Sequence, residues 1–158
     1  MDIVLKILKQ RLDKGLTDQI YVKGNSMNPI LQESDCITLT TAESYFVGDI
    51  LVFIYKSGRF LVHRLLQINN GVYYCKGDNS FRLEEVCFTQ IFGKVISVRR
   101  KDNNVPLPTV SEAFIKHSLQ VNQEFIRCRY NVKKTMDTKI YKEYYSEYIS
   151  SKDVLDQL

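Results

Sequence analysis

The chain has 158 residues, 44% of them hydrophobic, which suits one packed domain or one domain with an appendage. Net charge is +4 without a dominant stripe, since eight Lys/Arg face seven Asp/Glu from residue 110 onward, so nucleic-acid binding is not expected. Four cysteines at 36, 75, 87 and 128 form no CxxC, and only two histidines accompany them, which argues against structural zinc or any other metal and for scattered, buried thiols in a reducing, cytoplasmic setting.

Residues 2–14 predict a short amphipathic helix. Val4, Leu5, Leu8 and Leu12 share one face, Lys6, Lys9 and Lys14 lie off it, and Gly15 is a plausible stop. The segment does not read as a signal peptide, because Lys6 and Lys9 interrupt the apolar run and no small-residue cleavage site follows. No stretch approaches the roughly 18 apolar residues of a membrane span. A basic amphipathic helix admits peripheral membrane contact, and packing on the rest of the chain is the plainer reading.

From 19 to 99 the pattern is that of short strands. "QIYVKG" alternates and runs into the turn "KGNSMNPIL"; "CITLTT" is β-branched; "GDILVFIY" is nearly continuous in apolar residues. "GRFLVHRLLQI" follows a turn at Lys56-Ser57-Gly58, so these last two predict a hairpin. Asn69-Asn70-Gly71 predicts a second turn, into "VYYCKG", and "FGKVISV" closes the set. The expected class is mostly β, rolled or barrel-like. Pro106 and Pro108 mark a boundary; Ser111 is a candidate cap for a helix holding Phe114 and Ile115. His117 reads as a surface residue, and "KIYKEYYSEYISS" aligns Ile140, Tyr141, Tyr144, Tyr145, Tyr148 and Ile149 as a packing face. The expected organisation is a helix at 1–15, a β domain at 16–105 and a helical extension at 106–158.

The serine turn is where chemistry enters. Methionine is rarely placed in a surface loop, and Ser26 beside Met27 is either part of a tight turn or a displayed nucleophile. A serine hydroxyl needs a base to attack at neutral pH. His63 sits in a predicted strand, on the face of Leu61 and Leu65, and taken alone reads as a structural histidine rather than a base.

Five motifs in order, "GNSMNP", "VGDILVF", "LVHRLL", "KGDNS" and "FGKVISV", resemble the signal peptidase I and LexA-like serine protease superfamily over residues 20 to 99. The resemblance implies Ser26 as nucleophile, His63 at the general-base position of the Ser-His branch, and Asp78 as first choice for the carboxylate that orients His63. Glu84 and Glu85 are the alternative acids, because the aspartate usual after the Gly-Asp-Asn box is replaced by "SFRLEEV". It also implies an oxyanion site from the backbone N–H groups of Ser26 and Asn25, turn roles for Gly24, Pro29 and Asp49, and no cofactor. The implied substrate is an extended peptide or protein, such as a leader or signal-type peptide, and a partner in peptide biosynthesis is admitted. No hydrophobic anchor and no DNA-binding module is expected ahead of the serine. Other readings are a non-cleaving peptide-binding or scaffold protein of the same fold, and a partner- or membrane-associated regulator.

Overall fold

The structure, a computed structural model, describes residues 3–127. Cys128 and the tyrosine-rich face of the tail lie outside the described residues.

Helix α1 (Ile3–Asp13) opens the described chain. It ends as its glycine requires: Gly15 takes φ 74° and donates its N–H to Leu12 O, while Leu16 N–H reaches back to Arg11 O. The strands follow as β1 (Asp18–Tyr21), β2 (Cys36–Thr40), β3 (Ile50–Tyr55), β4 (Arg59–Asn69), β5 (Val72–Lys76), β6 (Glu84–Cys87), β7 (Ile91–Arg100) and β8 (Asn103–Val105). Helix α2 (Glu112–Arg127) comes last among the described residues. Ser111 caps it, accepting the Phe114 N–H on its hydroxyl at 3.1 Å.

The strands make one antiparallel sheet in the order β1-β2-β7-β3-β4-β5-β6, with β8 on β7, and the sheet is not closed into a barrel. The β3–β4 hairpin pairs Ile50 with Arg64 through Tyr55 with Arg59. The β4–β5 turn uses Asn70 and Gly71, both at positive φ, as a type I′ turn demands. Two strands escaped the sequence reading: β6 and β8, with four and three residues, are too short to show periodicity.

Both faces of the sheet's middle are covered, which explains the unbroken apolar run of β3. Ile50 and Val52 enter one core with Leu8, Leu12, Met27, Ile30, Leu31, Ile37, Leu39 and Phe92. Leu51 and Phe53 enter a second, with Tyr45, Leu65, Cys75, Val86 and Ile91. Helix α1 therefore packs through Leu8 and Leu12, with Leu5 beside them, whereas Val4 is exposed rather than on the packed face. His117 is likewise not on the surface: it is buried on the inner face of α2 with Phe114, Ser118, Val121 and Asn122. The spacing of those five is helical, but three of them are polar, so the stripe was hidden from a hydrophobicity reading.

Candidate active site

The turn after β1 is built around Met27. Its side chain is 2% exposed and lies in the first core, and its sulfur accepts the Asp78 N–H at 3.3 Å. Leu31 N–H closes the turn onto Met27 O at 3.0 Å. Gly24 takes φ 77°, and the Asn28–Pro29 peptide is cis. Anchored on both sides, the loop leaves Ser26 half-buried at the edge of the core. Methionine stands in this loop because it is the anchor.

The segment that follows β5 presses on the same loop. Asn79 N–H donates to Ser26 O at 2.8 Å, and Asn79 Nδ2 donates to Asn25 O at 3.0 Å. Gly77 lies so close that an added Cβ would meet Ser26 O at 2.5 Å and His63 Nε2 at 3.1 Å. A side chain cannot fit at 77 without displacing the Ser26 loop.

His63 arrives from β4. In register it stands opposite Leu51, so its ring falls on the face of the second core, with Phe53 edge-on at 6.2 Å between centroids. Its Nε2 is 3.0 Å from Ser26 Oγ, across 37 positions of sequence. Its Nδ1 is 2.9 Å from Glu84 Oε2. Imidazole and carboxylate are both buried, at 5% and 4% exposure. With Glu84 as a carboxylate, which only accepts, and the imidazole neutral, Nδ1–H donates to Glu84 and the Nε2 lone pair faces the serine hydroxyl.

The carboxylate on His63 is therefore Glu84, and the first-choice expectation of Asp78 is corrected by the geometry. Both Asp78 oxygens are taken by Arg64, from Nε at 2.8 Å and Nη2 at 2.7 Å. The pair is almost wholly buried, with side-chain exposures of 2% and 1%. Arg64 also donates to Gly48 O at 2.8 Å and lies over the Phe114 ring at 5.5 Å. Asp78 thus neutralises a guanidinium beneath the site and does not reach the imidazole. Glu85, the other alternative acid, is exposed on the opposite face of β6. The strand period separates the two: Val86 is buried, so Glu84 points inward with it and Glu85 outward.

Asp49 closes the turn before β3, accepting the Phe46 N–H on its carboxylate at 3.0 Å. Gly48 adopts φ 102° there. Among the described residues the N–H groups of Asn25 and Ser26 are engaged by no backbone carbonyl.

Sequence reasoning passed over two features. Lys76, at the end of β5, is 0% exposed and donates to Gly77 O at 2.9 Å and Ser80 O at 2.6 Å. Burial pulls its pKa from 10.5 down to about 8, with Asp78 and Glu84 opposing the shift and Arg64 adding to it. Helix α2 is the second: Asn122 Nδ2 holds Phe81 O at 2.8 Å and Phe125 stacks on Phe81 at 5.3 Å, so α2 braces the segment between β5 and β6. An Asn and a Phe on a helix carry no sequence signal for such a role.

Among the described residues no group of three or more His, Cys, Asp or Glu is placed to hold a metal ion. Cys36 and Cys75 are buried free thiols, whereas Cys87 is exposed, against the expectation for it. Burial pushes the Cys75 thiol well above its ordinary range. No described helix is long and apolar enough to cross a membrane.

A search of the curated proteins gave no match. The model of the family described as Peptidase S24-like matches residues 10–96, a span holding Ser26, His63, Asp78 and Glu84. That span is more than half of the chain, and the chain belongs to the Peptidase S24-like family.

Proposed function

We propose that the protein is a serine endopeptidase that cuts an extended peptide or protein substrate through Ser26, His63 and Glu84. The observation that carries this reading is the unbroken hydrogen-bonded line of Ser26 Oγ, His63 Nε2, His63 Nδ1 and Glu84 Oε2, at 3.0 and 2.9 Å. A hydroxyl, an imidazole in the accepting tautomer and a buried carboxylate are the parts that acyl transfer needs.

The steps follow from that tautomer. Ser26 Oγ attacks the scissile carbonyl carbon while its proton passes to His63 Nε2. The imidazolium is stabilised by Glu84, which keeps its charge. The carbonyl oxygen becomes an oxyanion, met by the N–H groups of Ser26 and Asn25. The C–N bond breaks as Nε2–H protonates the leaving amine. Water, deprotonated by the same nitrogen, then hydrolyses the acyl-serine.

Two backbone edges favour an extended substrate. Among the described residues β1, which leads to Ser26, pairs only with β2. Residues 59–63 of β4, which end on His63, pair with β3, but pairing with β5 starts only at Arg64. A peptide strand would find unpaired N–H and C=O groups on the approach to both catalytic side chains. A leader- or signal-type peptide is the substrate class proposed, and the cytoplasm the compartment.

The test is Ser26→Ala. Digests of a defined peptide library should show cleavage by the wild-type chain and none by the variant, with thermal unfolding unchanged. Cleavage at the wild-type rate by Ser26→Ala would overturn the assignment.

A further inference from the structure

Lys76 is a buried cation that the steps above do not use. The two carboxylates that favour its charge are already engaged: Asp78 by Arg64, Glu84 by His63. Its ammonium instead donates to the carbonyls of Gly77 and Ser80, at 2.9 and 2.6 Å. Those carbonyls bracket the short turn 77–80, itself closed by Ser80 N–H on Gly77 O at 3.1 Å. The same turn holds the nucleophile loop through Asn79 N–H on Ser26 O and Asp78 N–H on the Met27 sulfur.

We infer that Lys76 is a positioning residue for Ser26: its ammonium locks turn 77–80, and that turn fixes the serine against His63. The inference rests on the proposed peptidase reading for its consequence, though not for its geometry. Charge-assisted bonds to two carbonyls hold the turn more tightly than a neutral amine would. Four charged groups are buried in this part of the fold, Arg64 and Lys76 against Asp78 and Glu84. The two positive charges balance the two negative ones. Removal of the Lys76 proton to solvent leaves the set one negative charge in excess and weakens both bonds to the turn.

The groups that face Lys76 set when this happens. Asp78 and Glu84 favour the ammonium, Arg64 on the adjacent strand opposes it, and burial is the largest influence, so the proton leaves near pH 8. The turn should accordingly loosen from about pH 8 upward while the fold persists.

Two readouts test this. In the wild-type chain, the backbone amide signals of Asn79 and Ser80 are followed by NMR from pH 6 to 10, alongside the Lys76 side-chain signal. They should move together with a midpoint near 8, and the movement should be absent in Lys76→Met. In parallel, the rate at which a fluorophosphonate labels Ser26 is measured by intact mass. Wild-type labelling should decline through the same midpoint, and Lys76→Met should label about tenfold more slowly at pH 7, with no decline near 8. Amide signals that ignore the Lys76 titration, or a Lys76→Met chain that labels at the wild-type rate with the wild-type profile, would overturn the inference. A wild-type chain whose amides titrate as stated but whose Ser26 never labels, and which cleaves nothing in the peptide library, would retain the lock and refute the peptidase reading instead.

Discussion

At the scale of single residues, the two carboxylates near the imidazole have separable roles. Glu84→Gln replaces an acceptor by an amide that can donate to Nδ1, which favours the tautomer with its proton on Nε2. That nitrogen then has no lone pair for the serine proton. Peptide cleavage should drop by about 10³- to 10⁴-fold with little change in stability, read as kcat/KM beside a urea melt. Asp78→Ala acts in the opposite sense. It leaves the Arg64 guanidinium buried and unpaired, so the expected effect is a loss of about 3–5 kcal/mol in unfolding free energy. If Asp78→Ala were stable and inactive while Glu84→Gln cleaved normally, the two assignments would have to be exchanged. Ser26 and His63 were legible because five motifs stand in order along the chain. Glu84 was legible in principle, since "EEVC" alternates and Val86 fixes which glutamate faces inward. What left it level with Glu85, behind Asp78, was the absence of any visible strand signal in four residues. Lys76 and Arg64 were not legible at all: a charged residue in a strand reads as solvated until its burial is seen.

At the scale of elements, the site is held by short segments rather than by long strands. The turn 77–80 touches the Ser26 loop through backbone groups, so its geometry is sensitive to any added volume at Gly77. Gly77→Ala brings a methyl to 2.5 Å from Ser26 O, a contact that only a backbone shift relieves. Such a shift costs about 1–3 kcal/mol and moves the hydroxyl, and displacements near 1 Å cost about 10²-fold in rate. Gly93 provides the comparison. Its added Cβ would meet Thr40 O at 2.5 Å, in the β2–β7 region away from Ser26. Gly93→Ala should be destabilised to a similar degree and still label Ser26 at the wild-type rate per folded molecule. Equal losses of labelling in both variants would show general loosening rather than a specific contact. The long strands were readable because β3 and β4 carry strong apolar runs and their connecting turns carry glycine. β8 was not, because it has three residues and its turn places Lys101 and Asp102 at φ 47° and 66° without a glycine, and lysine does not advertise positive φ.

At the scale of the whole molecule, the buried charges tie stability to pH in a direction that can be worked out. Lys76 has a pKa of about 8 when folded against 10.5 in the open chain. Below pH 8 both states hold the proton, and burying the ammonium lowers stability by a constant amount of about 3 kcal/mol. Between 8 and 10.5 the unfolded chain keeps a proton that the folded chain has released, so stability rises with pH. Cys75 works the other way. Its folded pKa lies above the ordinary 9.0, so above pH 9 the unfolded thiol ionises first and stability falls. Tyr45, raised from 10.0 by burial, adds a further fall above pH 10. The wild-type chain should therefore gain stability between about pH 8 and 9 and level off or decline beyond. Lys76→Met removes only the rising contribution. The difference in urea unfolding free energy, wild type minus variant, should grow in favour of the wild type by about 3 kcal/mol between about pH 7 and 10.5. A difference that stays flat across that range would mean that the Lys76 ammonium is solvated in the folded chain. In that case it could not lock the turn beneath Ser26. Because the predicted rise in stability coincides with a predicted fall in Ser26 reactivity, unfolding at alkaline pH cannot imitate the result.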